Sequence, residues 1–548
     1  MNPDWTEVLK TWSAKAEGLT GPLADTARAL HLNRQLETFA SDLKPLLQEA
    51  EDLQTEFLQT VNSVPAGQGI PEFRRRSVEI RRLFKNGTIT FDQAQREIRE
   101  LAERVGPHHV GYQAVQKKGE NLNRVAVLRS QLAKAKMGAD ATWATYALEL
   151  GGQRYQKEYR GPKEQKEFLR QYIDGLKRLR AIFIERRLSE LQIADPSTLR
   201  SSHLSLLTLP ALEQLQPYFP SSQIPTIWQE TLLESGFAAS TLAQIQADLL
   251  PRAGKNPVAA YNWKYIAPYP DQEVIDANTL EYVNPPMGSP LYNPGMTFIL
   301  QNFGGQGIAD LQVMFHEGGH ATEGMLKGKN QPTNDAYGYV EVPSMTSERF
   351  AQDVDLLWNR ATPIDGKRPS REEIQTLVRN SQQNEIMDLV SMANMALFDI
   401  DLWDYDYSAP GADTYLQRVE RLTKEIEDAA GTPPPVESTI PAFYGRLATS
   451  HFISGNVRNI GYTYAEIASR MMAKYFSDTL ERTTGRRSWY QQPTLGRLFS
   501  EEFYARGWRD EFPLSIEKIT GQKFSTDAVI AEMGRELGLE TCAAVLGH

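Results

Sequence analysis

Apolar and charged positions recur with helical spacing through residues 1 to about 250, which predicts a succession of charged amphipathic helices. Proline and glycine punctuate them: Pro3 near the first helix start, the break Pro65-Ala66-Gly67-Gln68-Gly69-Ile70-Pro71, and Pro217, Pro220 and Pro225. The long polar stretch 164–193 lacks a sustained heptad, so packed helical layers are expected there in place of a coiled coil. No repeat of fixed period is evident. From Pro251 to Gly307 the chain turns rich in Pro, Gly, Asn and Tyr, with strand-like pieces Glu281-Tyr282-Val283 and Thr297-Phe298-Ile299-Leu300. A small sheet is expected there. Helical patterns return after Glu341 and run to the end, interrupted near 363–370 and at Pro433-Pro434-Pro435. This change of character divides the chain into an N-terminal helical region, 1–250, and a second region, 251–548.

Composition narrows the function classes. At 548 residues and 61.8 kDa the chain has room for two or more lobes with substantial cores. A net charge of −10 and a pI near 5.5 argue against a nucleic-acid binder. The cluster Arg74-Arg75-Arg76 with Arg81-Arg82 is interleaved with Glu72 and Glu79, and reads as a solvated helix face. One cysteine, Cys542, rules out an intrachain disulfide and suits a reducing compartment. The start carries no signal-peptide pattern and no run approaches a membrane span, so a cytoplasmic protein without membrane partners is expected.

The most informative chemistry lies at Val313-Met314-Phe315-His316-Glu317-Gly318-Gly319-His320-Ala321-Thr322. In this HExxH pattern two histidines one helical turn apart reach a single zinc ion, leaving Glu317 beside it as a base. The flanks are uncharged, as a buried metal-bearing helix requires. Gly304, Gly305 and Gly307 precede it as a helix start, and Lys327-Gly328 stop it. Two glycines inside a helix each cost about 1 kcal/mol relative to alanine, so Gly318 and Gly319 call for another backbone or a substrate in close approach.

A catalytic zinc takes three protein ligands and keeps a position for water. Downstream candidates are Glu323, Asp335, Glu341 and Glu348. Glu323 lies about 10 Å along the axis from His316 at 1.5 Å per residue, too far for one ion. The polar stretch with Pro332 lets the chain turn back, which makes Glu341 the best third ligand. Glu348 then either holds a ligand histidine from behind the metal or is a surface carboxylate.

These residues resemble the thimet oligopeptidase and oligopeptidase F family of zinc metallopeptidases, through His316-Glu317-Gly318-Gly319-His320 followed by Val340-Glu341-Val342-Pro343-Ser344. Asn302-Phe303-Gly304-Gly305 sits where that family has an edge-strand segment that binds peptide, and Lys329-Asn330-Gln331-Pro332 resembles its loop after the metal helix. The loop from His320 to Glu341 is shorter than in the family. The family's histidine and tyrosine run is altered here, to His451 with Tyr462 and Tyr464, with Val457, Arg458, Asn459 and Ile460 replacing part of it.

The resemblance implies a mostly α, zincin-type fold: two helical halves flanking a deep substrate channel, with the small sheet beside the HExxH helix. It implies a zinc metalloendopeptidase acting on short, unfolded peptides. His316, His320 and Glu341 bind one zinc, to which cobalt and manganese are alternatives. Glu317 is the general base, His451, Tyr462 or Tyr464 supplies the oxyanion donor, and Asn302 to Gly305 bind substrate. An extended peptide would add its backbone to the strand near Thr297–Asn302. Two other readings stand beside this one: a metallocarboxypeptidase, with Arg446 or Arg458 gripping the substrate's free carboxylate, and a catalytically impaired peptide-binding protein. A purely structural helical protein would bind no metal. Monomer and homodimer are equally open.

Overall fold

A computed structural model gives the architecture of residues 69–105, 112–151, 161–193, 199–243, 307–326, 340–429, 459–505 and 512–539, five strand segments between 245 and 302, and isolated positions elsewhere. The chain is mostly helical. Its main helices before the sheet are α1 (Gly69–Lys85), α2 (Phe91–Val105), α3 (Tyr112–Met137), α4 (Pro162–Glu190) and α5 (Ile224–Glu234). Beyond it come α6 (Ile308–Leu326), α7 (Val342–Ser347), α8 (Arg371–Trp403), α9 (Tyr415–Ala429), α10 (Asn459–Thr484), α11 (Phe512–Thr520) and α12 (Thr526–Glu536).

Local chemistry sets several of these starts. Pro162 and Pro343 occupy first-turn positions, where a missing N–H costs nothing. Ser370 opens α8 with a capping box, its hydroxyl accepting from the Glu373 amide while the Glu373 carboxylate accepts from the Ser370 amide. Gly307 begins α6 with φ of +53°, and a Cβ there would collide with the Gln216 backbone, so the position needs glycine twice over. At the head of α10, buried Val457 takes φ of +51°, a conformation β-branched residues rarely adopt. Asp399 of α8 then anchors that helix, accepting from the Asn459 amide at 3.2 Å and from its Nδ2 at 2.9 Å. Burial pushes the Asp399 carboxyl up to about 7, against the pull of the Asn459 hydrogen bonds.

Among the described residues the expected sheet has three strands: β1 (Ile245–Leu250), β2 (Met287–Asn293) and β3 (Met296–Asn302). β3 is central, parallel to β1 with Ile245 opposite Thr297, and antiparallel to β2 with Met287 opposite Asn302. Pro290 lies in β2, at an edge where a missing donor is tolerated. β2 and β3 both pack on α6, so the sheet does lie beside the HExxH helix. A two-stranded ribbon pairs Val274–Ile275 with Tyr282–Val283.

One hydrophobic core extends from Leu122 to Leu537 and takes in Tyr172, Trp228, Phe315, Trp403 and Phe499. It crosses residue 250 without a break, and β1 pairs across the same point, so the change in composition there is not a division of the core. Trp403 and Tyr407 are core residues. A satellite cluster of Ile80, Phe91, Ile98 and Leu206 packs α1 and α2 against the end of α4. On α1 the arginines pair with acids as expected of a solvated face, Arg76 with both Glu79 and Glu97.

The two helix glycines are explained by packing. A Cβ on Gly318 would run into the Trp228 indole, 2.6 Å from its Cε2. On Gly319 it would lie 2.6 Å from the Pro343 carbonyl oxygen and 2.8 Å from the Ser344 Cα. Substituting Gly319→Ala is expected to destabilise the fold by about 1–3 kcal/mol in urea unfolding, the usual range for an overpacked core. It should also weaken zinc binding, because the element it displaces carries Glu341.

Candidate metal centre

α6 presents His316 and His320 on one face, with ring centroids 5.0 Å apart and planes at 81°. The chain returns after α6 so that Glu341 sits at the N-terminus of α7, directly over the two rings. Its Oε2 lies 3.3 Å from the Nε2 of His316 and 3.3 Å from that of His320. Ser344 fixes this carboxylate: its hydroxyl donates to Glu341 Oε2 at 3.1 Å and to the Glu341 carbonyl at 2.9 Å. The serine of the Glu-Val-Pro-Ser segment therefore aims the ligand, and the proline starts the helix.

Among the described residues these three are the group of His, Cys, Asp and Glu placed to share a metal ion. Their spacing suits zinc. Bonds of 2.0–2.1 Å in tetrahedral geometry put neighbouring donors about 3.3–3.4 Å apart, and the two Glu341 contacts have that length. Glu323, one turn beyond His320, stays out of the cluster, as its distance along the axis requires.

Of the two readings open for Glu348, its contact with His316 fits the first. Its Oε1 lies 2.5 Å from the Nδ1 of His316, so Nδ1–H donates to it and Nε2 is turned towards Glu341, where a metal would sit. Burial alone would depress the His316 pKa. Hydrogen bonds to Glu341 and Glu348, with the Glu348 charge, outweigh it and raise the imidazole well above its ordinary value before metal binds. Burial likewise opposes ionisation of Glu341, yet its two histidine partners hold it far below the usual carboxylate range. Glu317 sits beside the cluster and is 7% exposed. Burial pushes its pKa up against the opposing pull of His316 and His320, the direction a general base needs.

The remaining site candidates fare differently. Tyr464 is wholly buried, packed edge-on against Phe168 and Phe524 and stacked on Phe512, and its hydroxyl donates to Gln165. It is a core residue, which corrects the expectation that it faces a substrate carbonyl. Tyr462 is half-buried, and lies one turn before Glu466 on the side of α10 that meets the segment after Glu341. Asn302 is paired on both sides, opposite Leu250 and Met287, and Thr297 to Gln301 are flanked in the same way. A peptide cannot add to Thr297–Asn302, because both of its hydrogen-bonding edges are taken. His451, Phe303, Gly304, Gly305, Arg446 and Arg458 lie outside the described residues.

Sequence reasoning missed Trp228 against Gly318, the aiming role of Ser344, and the arginines behind Glu348. Only the last left a local signal, the Glu466 and Arg470 pair at i,i+4.

The sequence matches peptidase family M3 over residues 93–534. No curated protein matches. Among solved structures, a carboxypeptidase of Pyrococcus furiosus aligns with TM-score 0.53 and 12% identity, over 98% of this chain and 88% of that one. The M32 carboxypeptidase of Deinococcus radiodurans R1 aligns with TM-score 0.50 and 14% identity, over 99% of both chains. At such identities the likeness is one of fold.

Two outcomes follow for metal binding. His316 must lose its raised proton to take a metal, so affinity should climb with pH, by about tenfold per unit while the pH is below that raised pKa. Chelator competition at pH 6, 7 and 8 measures it; a flat profile would contradict the assignment. Glu348→Gln should weaken zinc affinity by about 10- to 100-fold and flatten that slope.

Proposed function

Because the chain belongs to peptidase family M3, we propose that it is a zinc-dependent oligopeptidase hydrolysing internal bonds of short, unfolded peptides. The observation that carries this reading is the grouping of His316, His320 and Glu341, the carboxylate at zinc-like spacing from both imidazoles, with the buried Glu317 beside them, its pKa raised by burial.

When bound, the zinc would polarise a water molecule and lower its pKa towards neutrality. Glu317 accepts the proton of that attacking water and delivers it to the departing amine. Glu348 keeps His316 oriented throughout, and Ser344 keeps Glu341 in place. Negative charge building on the carbonyl oxygen calls for a donor, worth several kcal/mol when well placed. Tyr462 fills that role in this reading, with His451 as its companion.

An extended substrate would run along the outer edge of β2, the strand that packs on the metal helix and, among the described residues, pairs on one side only; backbone pairing there gives affinity that depends little on side chains. Two helical halves flanking a deep channel would admit unfolded peptides and exclude folded proteins. The acidic net charge, the single cysteine and the lack, among the described helices, of one long and apolar enough to cross a membrane suit a cytoplasmic enzyme.

The fold likeness to two carboxypeptidases favours a second reading, in which Arg446 or Arg458 grips the substrate's terminal carboxylate. Amidating the peptide C-terminus separates the two: an oligopeptidase keeps cleaving internal bonds, whereas a carboxypeptidase stops. Glu317→Gln should keep about one zinc per chain and lose about 10²- to 10⁴-fold in kcat on quenched fluorescent peptides. Zinc without turnover in the wild type would instead support a peptide-binding protein.

A further inference from the structure

Behind the metal centre lies a second group of charges. Arg349, the residue after Glu348, donates from Nη2 to Glu466 Oε1 at 3.0 Å and from Nη1 to Gln352 at 3.3 Å, with Glu385 3.6 Å away. Glu466 is 5% exposed and also accepts from the Nε of Arg470 at 2.6 Å. Arg470, 3% exposed, reaches on to Glu385 at 2.5 Å and to Glu536 at 3.9 Å. Three acids thus meet two arginines, and burial pushes Glu536 up to about 7, which eases the excess of negative charge.

Placement gives this network more than a structural part. Glu348 begins a 3-10 turn, Glu348–Gln352, whose hydrogen-bond geometry is poorer than that of an α-helix. Its side chain is 36% exposed, so packing does not hold it against His316. The next residue is held, by a planar guanidinium that fixes direction as well as distance. The partner of that guanidinium, Glu466, lies on α10 one turn after Tyr462. An apolar contact here would bury the same surface and let the two elements slide. A directional ion pair does not.

We propose that Arg349 and Glu466 are positioning residues: their ion pair locks the turn that holds Glu348 behind His316 to the helix that carries Tyr462, and so sets the separation of metal ligand and oxyanion donor. The part concerning Tyr462 rests on the peptidase reading above, while the part concerning His316 rests on geometry alone.

The test pairs the double variant Arg349→Met with Glu466→Gln, which removes both charges and leaves neither buried alone, against Lys166→Met. The control breaks the ion cluster of Lys166 with Asp401 and Asp404, which joins other elements. In the double variant, chelator competition should show zinc affinity weakened by about tenfold or more, the loss typical of groups that orient metal ligands. Its kcat should fall by a similar factor while KM stays within about twofold. Lys166→Met should lower the thermal midpoint and leave zinc affinity and kcat near wild type. If the double variant does not fold, Arg349→Lys, which keeps the charge and loses the fork, supplies the same readings. Zinc affinity and kcat within about twofold of wild type would overturn the proposal, as would an equal loss of zinc affinity in Lys166→Met. Should the wild type cleave no peptide, the peptidase reading fails, and zinc affinity alone decides the positioning of His316.

Discussion

The close approach of two backbones at Gly319 is the constraint on which the metal centre depends. Glu341 meets both histidines only because α7 lies against α6 with the Pro343 carbonyl where a side chain would otherwise be. Trp228 closes the opposite side over Gly318. The pair of glycines gives up helix propensity, about 1 kcal/mol each. In exchange the third ligand stands at 3.3 Å from each imidazole without a long side chain having to bridge a gap.

Charge is then arranged in two layers. The inner layer sets His316 and His320 against Glu341 and Glu348, with Glu317 alongside. The outer layer sets Arg349 and Arg470 against Glu466 and Glu385. Glu317 apart, each ion named here has a partner of opposite sign at hydrogen-bonding range, as burial demands. Such pairs contribute little net stability once desolvation is counted. Geometric definition is what they add, and the hinge between the layers is the adjacent pair Glu348 and Arg349.

How much of this could be read from the chain depended on how local each signal was. His316, Glu317 and His320 are fixed by helical periodicity alone, and the Glu-Val-Pro-Ser segment supplied Glu341, so the donor triangle was legible in full. Glu348 was open in the sequence because nothing local says which carboxylate turns inward; the His316 contact decides it. Tyr464 was misread because a tyrosine near the start of an apolar helix has the same pattern whether its hydroxyl meets a substrate or a buried Gln165, some 300 residues earlier. The sheet was found, but its order was not. That β1 lies beside β3 follows from parallel pairing across about 50 residues, which strand-like composition does not encode, and it turns an expected edge into the centre.

The same charges bear on how the site would take a metal. Three carboxylates, Glu317, Glu341 and Glu348, converge near His316 and His320, and the hydrogen bonds to Glu341 and Glu348 raise the affinity of His316 for a proton. A metal binding there would have to displace that proton. The steric contacts at Gly318 and Gly319 hold α6 against α7 and Trp228 whatever the charge of the histidines, while the raised proton affinity of His316 ties metal affinity to pH.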